Sequence, residues 1–214
     1  MEKPHLDIKF VSDVACPWCA IGLASLDQAI ARIAAEADAT IRPEPFELNP
    51  DMGPEGANVV AYLGRKYGRT PAQVAEVQER IRGRGAEVGF AFGKREHVWN
   101  TFAAHRVLHW ATAKGRGAEL KRALLQAYHG EGRNPAAPEV LAELAATVGL
   151  DGERARQIAE SDEYAHEVRE RERHWMEQGV NGVPFVVVND RYAIEGGQPP
   201  EVFEEALRRI LATG

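Results

Sequence analysis

Apolar and polar residues alternate near the start of the chain: Leu6, Ile8 and Phe10 against Asp7 and Lys9, with Val11 following. A period of two predicts a β-strand. After Ser12-Asp13-Val14-Ala15 the period changes. Leu26, Ile30, Ile33 and Ala37 recur at steps of four, three and four, one apolar face of a helix running to about Ala37. Pro17 suits the first turn of that helix, where its missing N–H has no partner to lose. Thr40–Leu48 reads as a second strand, but Pro43 and Pro45 cannot donate to a ladder, which places it at a sheet edge. Asn49-Pro50-Asp51-Met52-Gly53-Pro54 is turn chemistry and closes this unit.

From about Ala57 to Gly179 the pattern is helical. Helices are predicted over 58–67, over 71–82 with Thr70 as N-cap, from a cap at Asn100 through Ala113, and over 118–129, 138–148, 152–160 and 162–178. Gly83, Gly85, Gly89 and Gly93 mark a loop after the second of these. The strand pattern then returns. Phe185–Val188 is strongly β-prone, Asn189-Asp190 is a hairpin turn, and 191–194 pairs back. Gly196-Gly197-Gln198 ends the strand, and Pro199-Pro200 opens a last helix to Leu211. The order β-α-β, helices, β-β-α predicts an α/β fold with one four-stranded sheet. Residues 1–56 and 179–214 build the α/β unit, and 57–178 form a helical domain inserted within it, because the chain must return to finish the sheet.

Composition narrows the function classes. With 44% hydrophobic and 27% charged residues in 214, the chain has the make-up of a globular protein. Acidic residues outnumber basic ones by 32 to 26, which argues against a general nucleic-acid binder. No apolar run approaches the ~20 residues of a membrane span. The N-terminal segment lacks an apolar secretory core, so a cytoplasmic, reducing location is expected.

The two cysteines, Cys16 and Cys19, are too few for a disulfide-stapled scaffold and lack the further ligands of a structural zinc site. What remains is C-P-W-C at a strand-to-helix junction. Two cysteines three apart on a first helical turn can form a disulfide with little backbone movement. Cys16 lies at the positive end of the helix dipole, which favours its thiolate, the nucleophile of thiol–disulfide exchange. Cys19, one turn deeper, is expected to be less exposed and to resolve a mixed disulfide by attacking Cys16. Trp18 brings no charge, so the helix end is expected to supply most of the depression of the Cys16 pKa. The Val183-Pro184 bond, just before a buried strand, is expected to be cis.

These residues carry a resemblance. The segment from Ser12 to Cys19 resembles the active-site segment of the DsbA family, in particular its FrnE-like branch. Phe46-Glu47-Leu48-Asn49-Pro50-Asp51, Asn100-Thr101 with Ala104-His105-Arg106, and Gly179–Phe185 with Gly196-Gly197-Gln198 match the same pattern. The resemblance spans nearly the whole chain. It implies a thioredoxin-like sheet with a helical insertion and a thiol–disulfide oxidoreductase or disulfide isomerase. Its redox centre would be the Cys16–Cys19 disulfide, with no other bound cofactor. Substrates would be protein disulfides or small thiols, met by Pro17, Trp18, Val183 and Pro184 beside the cysteines, with no nucleic acid and no membrane. The kappa-class glutathione transferases and 2-hydroxychromene-2-carboxylate isomerases are similar, but carry serine where this chain has Cys16. A glutathione-dependent isomerase or transferase acting on a small aromatic substrate is therefore the alternative, with glutathione as reductant or cosubstrate. A non-catalytic redox sensor is a third reading.

Two positions depart from the pattern. Pro43 stands where the branch often has tryptophan. Phe10 stands six residues before Cys16, where many thioredoxins bury an acid. Asp13 is then the candidate proton acceptor for Cys19, with turn chemistry as its other reading. Asn49 and Asp51 either line the groove or only shape an Asn-Pro turn. The Gly196–Gln198 loop either offers N–H groups, with Gln198, to a carboxylate such as that of glutathione or simply starts a helix. His105 and His109, one turn apart, lack the companions of a metal site, and none is expected; His105 reads as a hydrogen-bonded interface residue. The charges from Glu167 to Arg173 read as a solvated helix face.

Overall fold

A computed structural model describes residues 3–213. The first unit is β1 (His5–Ser12), α1 (Pro17–Arg32) and β2 (Asp38–Pro45). A minimal strand β3 (Ala57–Asn58) leads into α2 (Val59–Tyr67) and α3 (Pro71–Glu87), and β4 (His97–Val98) pairs back on β3. Then follow α4 (Phe102–Ala113), α5 (Gly117–Leu125), α6 (Pro138–Thr147), α7 (Gly152–Glu160) and α8 (Ala165–Glu177). The chain closes with β5 (Phe185–Val188), β6 (Tyr192–Glu195) and α9 (Pro200–Thr213). The main sheet has the order β2-β1-β5-β6, with β1 and β2 parallel and the other pairs antiparallel.

The strands alternate as their sequences require. Leu6, Ile8 and Phe10 of β1 and Val186 and Val188 of β5 pack against α1 and α9, where Leu26, Phe203 and Leu207 complete a dry core. Val11, Phe185 and Val187 point to the other face, against Trp175 of α8 and Val180. Edge strand β2 accommodates Pro43 and Pro45 because it pairs only with β1. Both residues of the β5–β6 turn, Asn189 and Asp190, have positive φ, as a tight hairpin needs. A second core lies among α4 to α7, built on Val107, Leu120, Leu124, Tyr128, Leu141 and Ile158.

Several sequence expectations shift. Helix α1 ends at Arg32 and not near Ala37, which is nonetheless buried in the turn before β2. Gly83 and Gly85 lie inside α3, not in a loop. A Cβ on Gly85 would strike the Phe92 ring and the Phe90 carbonyl, so the glycine lets the following loop fold back onto the helix. Thr70 caps α3 through a reciprocal box with Gln73. Asn100 Oδ1 accepts from the Phe102 N–H at 2.8 Å, opening α4. Helix α5 runs into a π turn, Gln126–Gly130. The 167–173 charge run is not simply solvated. Arg169 pairs with Glu47 and Glu172, and Arg171 with Glu44, pinning α8 to the β2 end of the sheet.

Candidate active site

Cys16 is the N-cap of α1, with extended backbone, and Pro17 follows at the first helical position. Its Sγ lies against the Val183 carbonyl oxygen at 3.5 Å. The sheet register explains the meeting. Phe185 pairs with Val11, so the residues just before β5 come level with those just after β1. The Val183–Pro184 peptide bond is cis. Cys19 is fully buried one turn along, and Cys16 is 4% exposed at the groove wall. Both are free thiols.

The two sulfurs are electrostatically unlike. The Cys19 thiol hydrogen-bonds to the Cys16 sulfur, the largest influence on Cys16, and lowers its pKa; the backbone N–H groups of Cys19 and Trp18 add to this against the cost of burial. The helix end thus contributes, but the neighbouring thiol contributes more than the sequence alone suggested. Burial, and then the Cys16 sulfur itself, push Cys19 well up.

Asp13 is fully buried in the loop before Cys16, whose N–H donates to the Asp13 carbonyl at 3.3 Å. Its Oδ1 accepts from the Ala15 N–H at 3.0 Å, the Thr101 hydroxyl at 2.8 Å and His105 Nε2 at 3.3 Å; its Oδ2 accepts from the Leu48 N–H at 2.7 Å. Burial alone would raise its pKa, but these donors, His105 first, bring it to about 2. So stabilised an anion is a weak base for a thiol proton. It acts as a knot, tying the loop before Cys16 to the Leu48 segment and to α4.

Other buried polar groups shape the same loop. His129, on the π turn, sets Nε2 2.8 Å from the Val14 carbonyl oxygen, and Arg95 Nη1 lies 3.5 Å from its Nδ1. Burial and then Arg95 hold His129 well below the ordinary histidine range, so it is neutral, with Nε2–H donating. Arg95 Nη1 also donates to the Ala15 carbonyl at 3.2 Å. Lys121 of α5 is buried, and its Nζ donates to the Ser12 carbonyl at 3.4 Å.

A groove of about 350 Å³ opens over Cys16. Pro17, Trp18 and Val183 form its floor with Cys16, while Tyr62, Tyr67 and Ile81 from α2 and α3 form the roof. Asn49 is at its edge, with Oδ1 accepting from the Tyr62 hydroxyl and Lys66 Nζ, each at 2.6 Å. The charged residues on its walls, Lys66, Arg69, Arg80 and Arg95, are all cationic.

The structure therefore gathers Cys16, Pro17, Trp18, Val183 and Asn49 at one groove, with Cys19 and Pro184 directly behind. It does not bring Gln198 there. The Gln198 amide donates to the Glu195 carbonyl at 2.7 Å, closing its own loop. Gly197 is packed so tightly on Trp18 that a Cβ would sit 2.9 Å from the Trp18 carbonyl oxygen. Asp51 is exposed on its turn, away from the groove walls. His105 serves Asp13, and His109 packs on the Tyr164 ring at 5.2 Å. The sequence reading missed Lys121, His129 and Arg95. Lys121 carries a usable signal: with Leu124 and Leu125 it falls at the i, i+3, i+4 spacing of the buried stripe of α5, where a charge is out of place.

Among the described residues no helix is long and apolar enough to cross a membrane. The chain is similar to the YwbO protein of Bacillus subtilis (strain 168), at 28% identity over 94% of each chain. Its fold superposes on the crystal structure of a probable DsbA oxidoreductase from Streptomyces coelicolor with a TM-score of 0.88 and 33% identity, covering 96% of this chain and 89% of that one. The fold is shared more distantly by the cytosolic disulfide reductase DsbM of Pseudomonas aeruginosa, solved with GSH, at a TM-score of 0.63 and 21% identity over 96% and 99% of the two chains. The DSBA-like thioredoxin domain model matches residues 7–208. The chain belongs to the DSBA-like thioredoxin domain family, the thiol–disulfide oxidoreductases whose sheet it shares and whose helical insertion it carries between β2 and β5.

Proposed function

We propose that this protein exchanges disulfides through the Cys16–Cys19 dithiol, with Cys16 attacking and Cys19 resolving. The observation carrying this reading is the asymmetry of the pair. The sulfur on the groove wall has the lowered pKa, and the one behind it the raised pKa. A substrate disulfide lying in the groove meets the Cys16 thiolate, while Trp18, Pro17 and the Val183 carbonyl line its path. Cys19 stays protonated until Cys16 is bonded to substrate and no longer needs its hydrogen bond. No metal or organic cofactor takes part, and the redox centre is the cysteine pair. Residues 57–178 act as an inserted helical unit, supported by the core of α4 to α7, which also takes in Val14 and Ala15 from the loop before Cys16, with α2 and α3 roofing the groove. Turbidimetric insulin reduction driven by dithiothreitol tests the reading. Turnover is expected, with loss of activity in Cys16→Ser; full turnover in that variant would overturn it.

The cationic walls favour a second role for the same groove, binding of glutathione through its carboxylates as reductant or cosubstrate. Calorimetric titration decides it, since absence of binding at millimolar glutathione removes that role and leaves the dithiol chemistry standing.

A further inference from the structure

Resolution of the mixed disulfide requires Cys19, a buried thiol, to lose a proton that has no direct way to solvent. Phe10 occupies the β1 position from which an acid would have received it and lies in the dry core. Asp13 is committed to four donors. Neutral His129 spends its N–H on the Val14 carbonyl and turns its other nitrogen to Arg95. Lys121 is different. Its amine is buried, approaches a single acceptor at 3.4 Å, and interacts electrostatically with Cys19, Cys16 and Asp13.

Behind Lys121 is a cavity of about 260 Å³ between α4, α5 and edge strand β2. From α4 it is lined by His105, His109 and Thr112, from β2 by Arg42 and Glu44, and from α8 by Arg171. Arg42 and Ala113 at its rim are exposed. Lys121 thus reaches the segment before the cysteines, at the Ser12 carbonyl, on one side and lines an opening to solvent on the other. The groove and this cavity share no lining residue.

We propose that Lys121 accepts the Cys19 proton during resolution, and that the cavity behind it is the route by which that proton reaches solvent. The inference rests on the dithiol reading above. While Cys16 is a thiolate, Lys121 is held as the ammonium by the nearby negative charge. Once Cys16 is bonded to substrate that charge is gone, burial favours the neutral amine, and the ammonium releases its proton to solvent through the cavity. Cys19 Sγ–H then passes its proton to Lys121 Nζ. The sulfur electron pair forms the Cys19–Cys16 bond, and the bond from Cys16 to the substrate sulfur breaks with its pair on the substrate. The substrate sulfur is reduced and takes a proton from solvent in the groove; the dithiol is oxidised to the disulfide. With no thiolate left, Lys121 gives up its proton through the cavity.

Dithiobis-nitrobenzoate separates the two steps, releasing one coloured thiolate on Cys16 attack and a second on Cys19 resolution. In Lys121→Met and Lys121→Gln the first release is expected to slow near neutral pH only as far as the lost ammonium raises the Cys16 pKa, and to regain the wild-type rate once higher pH ionises Cys16. The second is expected to slow by roughly 10²-fold near neutral pH, the usual range for losing a positioned proton acceptor. It should climb steadily with pH as hydroxide replaces the amine. Lys121→Gln keeps a donor for Ser12, so it carries the test if Lys121→Met fails to fold, and a first release that reaches the wild-type rate at high pH shows that either variant is folded. A second release unchanged in rate and pH profile would overturn the proposal. A wild-type first release no faster than that of free cysteine would instead remove the dithiol reading.

Discussion

The Cys16 sulfur and the Val183 carbonyl oxygen face each other at 3.5 Å across the groove floor. A carbonyl can hold a thiol there by accepting its proton, but it cannot stabilise a thiolate. Ionisation of Cys16 therefore frees the Val183 oxygen, and in the function proposed above that oxygen is expected to accept a main-chain N–H from a substrate. The same reasoning assigns the lowering of the Cys16 pKa chiefly to the Cys19 thiol. The midpoint of Cys16 alkylation by iodoacetamide is expected below the ordinary cysteine value of about 8.5. In Cys19→Ala it should move upward, the backbone N–H groups alone remaining. An unmoved midpoint would show that the helix end does this work unaided.

Asp13 predicts an acid limb in stability. Its folded pKa is about 2 against an ordinary 3.8. Between these values the unfolded chain binds more protons, so stability rises with pH across the window; the contribution is complete above it and is lost as pH falls toward 2. For this fully buried group the difference amounts to about 2 kcal/mol. Asp13→Asn should remove that limb and destabilise the protein further at neutral pH, because an amide nitrogen would face donors. Urea unfolding from pH 2 to 5 measures both; a variant with the wild-type pH slope would refute the assignment.

The buried carboxylates of Glu47 and Glu172 predict the opposite sign. Both flank Arg169, and burial raises the pKa of each. A raised carboxyl contributes stability at low pH that is lost as pH rises through its folded value. Glu172→Gln should therefore raise the melting temperature at neutral pH relative to wild type, with the advantage shrinking toward pH 4. A variant less stable than wild type at pH 7 would mean that the ion pair with Arg169 outweighs desolvation.

Much of this arrangement was legible in the sequence, and the exceptions share a physical cause. The strand pattern of Leu6, Ile8 and Phe10, the capping of α3 by Thr70 and the Asn189-Asp190 turn are local signals, and each appears where expected. The placement of Cys16 and Cys19 on the first turn of α1 and the cis Val183-Pro184 bond are legible because spacing and context are local too. Gly85 was misread because its reason is the distant Phe92 ring. Lys121, Arg95 and His129 escaped because each reaches the cysteine loop over 80 or more residues of chain. For Gln198 the sequence leaves two readings open, since an amide near a helix start looks alike whether it serves a ligand or its own loop, and its amide donates to the Glu195 carbonyl.

Two glycines in helices give a paired test of packing behind the site. Helix propensity alone favours alanine over glycine by roughly 1 kcal/mol. Nothing lies within 4 Å of a Cβ built on Gly83, so Gly83→Ala should stabilise by about that amount. On Gly22 a Cβ would sit 3.0 Å from Pro184 Cγ and 3.3 Å from the Gly197 Cα, and neither a proline ring nor a backbone can rotate away. Gly22→Ala should instead cost about 1–3 kcal/mol, the usual range for overpacking. Thermal unfolding of the two variants should move in opposite directions; a stabilised Gly22→Ala would mean that Pro184 can retreat without cost.

The groove predicts a charge preference that sets it apart from the rest of the molecule. The chain carries a net charge of −6, yet Lys66, Arg69, Arg80 and Arg95 line the groove without an acidic residue among them. Lys66 and Arg95 have structural duties, Lys66 to Leu48 and Asn49 and Arg95 to Ala15, so replacing either would disturb the loop as well as the field. Arg69 and Arg80 are exposed and suit the test. Arg69→Glu with Arg80→Glu should raise KM for an anionic disulfide such as glutathione disulfide while leaving kcat nearly unchanged, because the charges act on approach and binding rather than on sulfur exchange. For cystamine, a cationic disulfide, KM should fall. Both effects should fade as salt shortens the Debye length from about 10 Å at 0.1 M toward 3 Å at 1 M. Equal KM changes for the two disulfides would show that the arginines act through the shape of the roof, not through their charge.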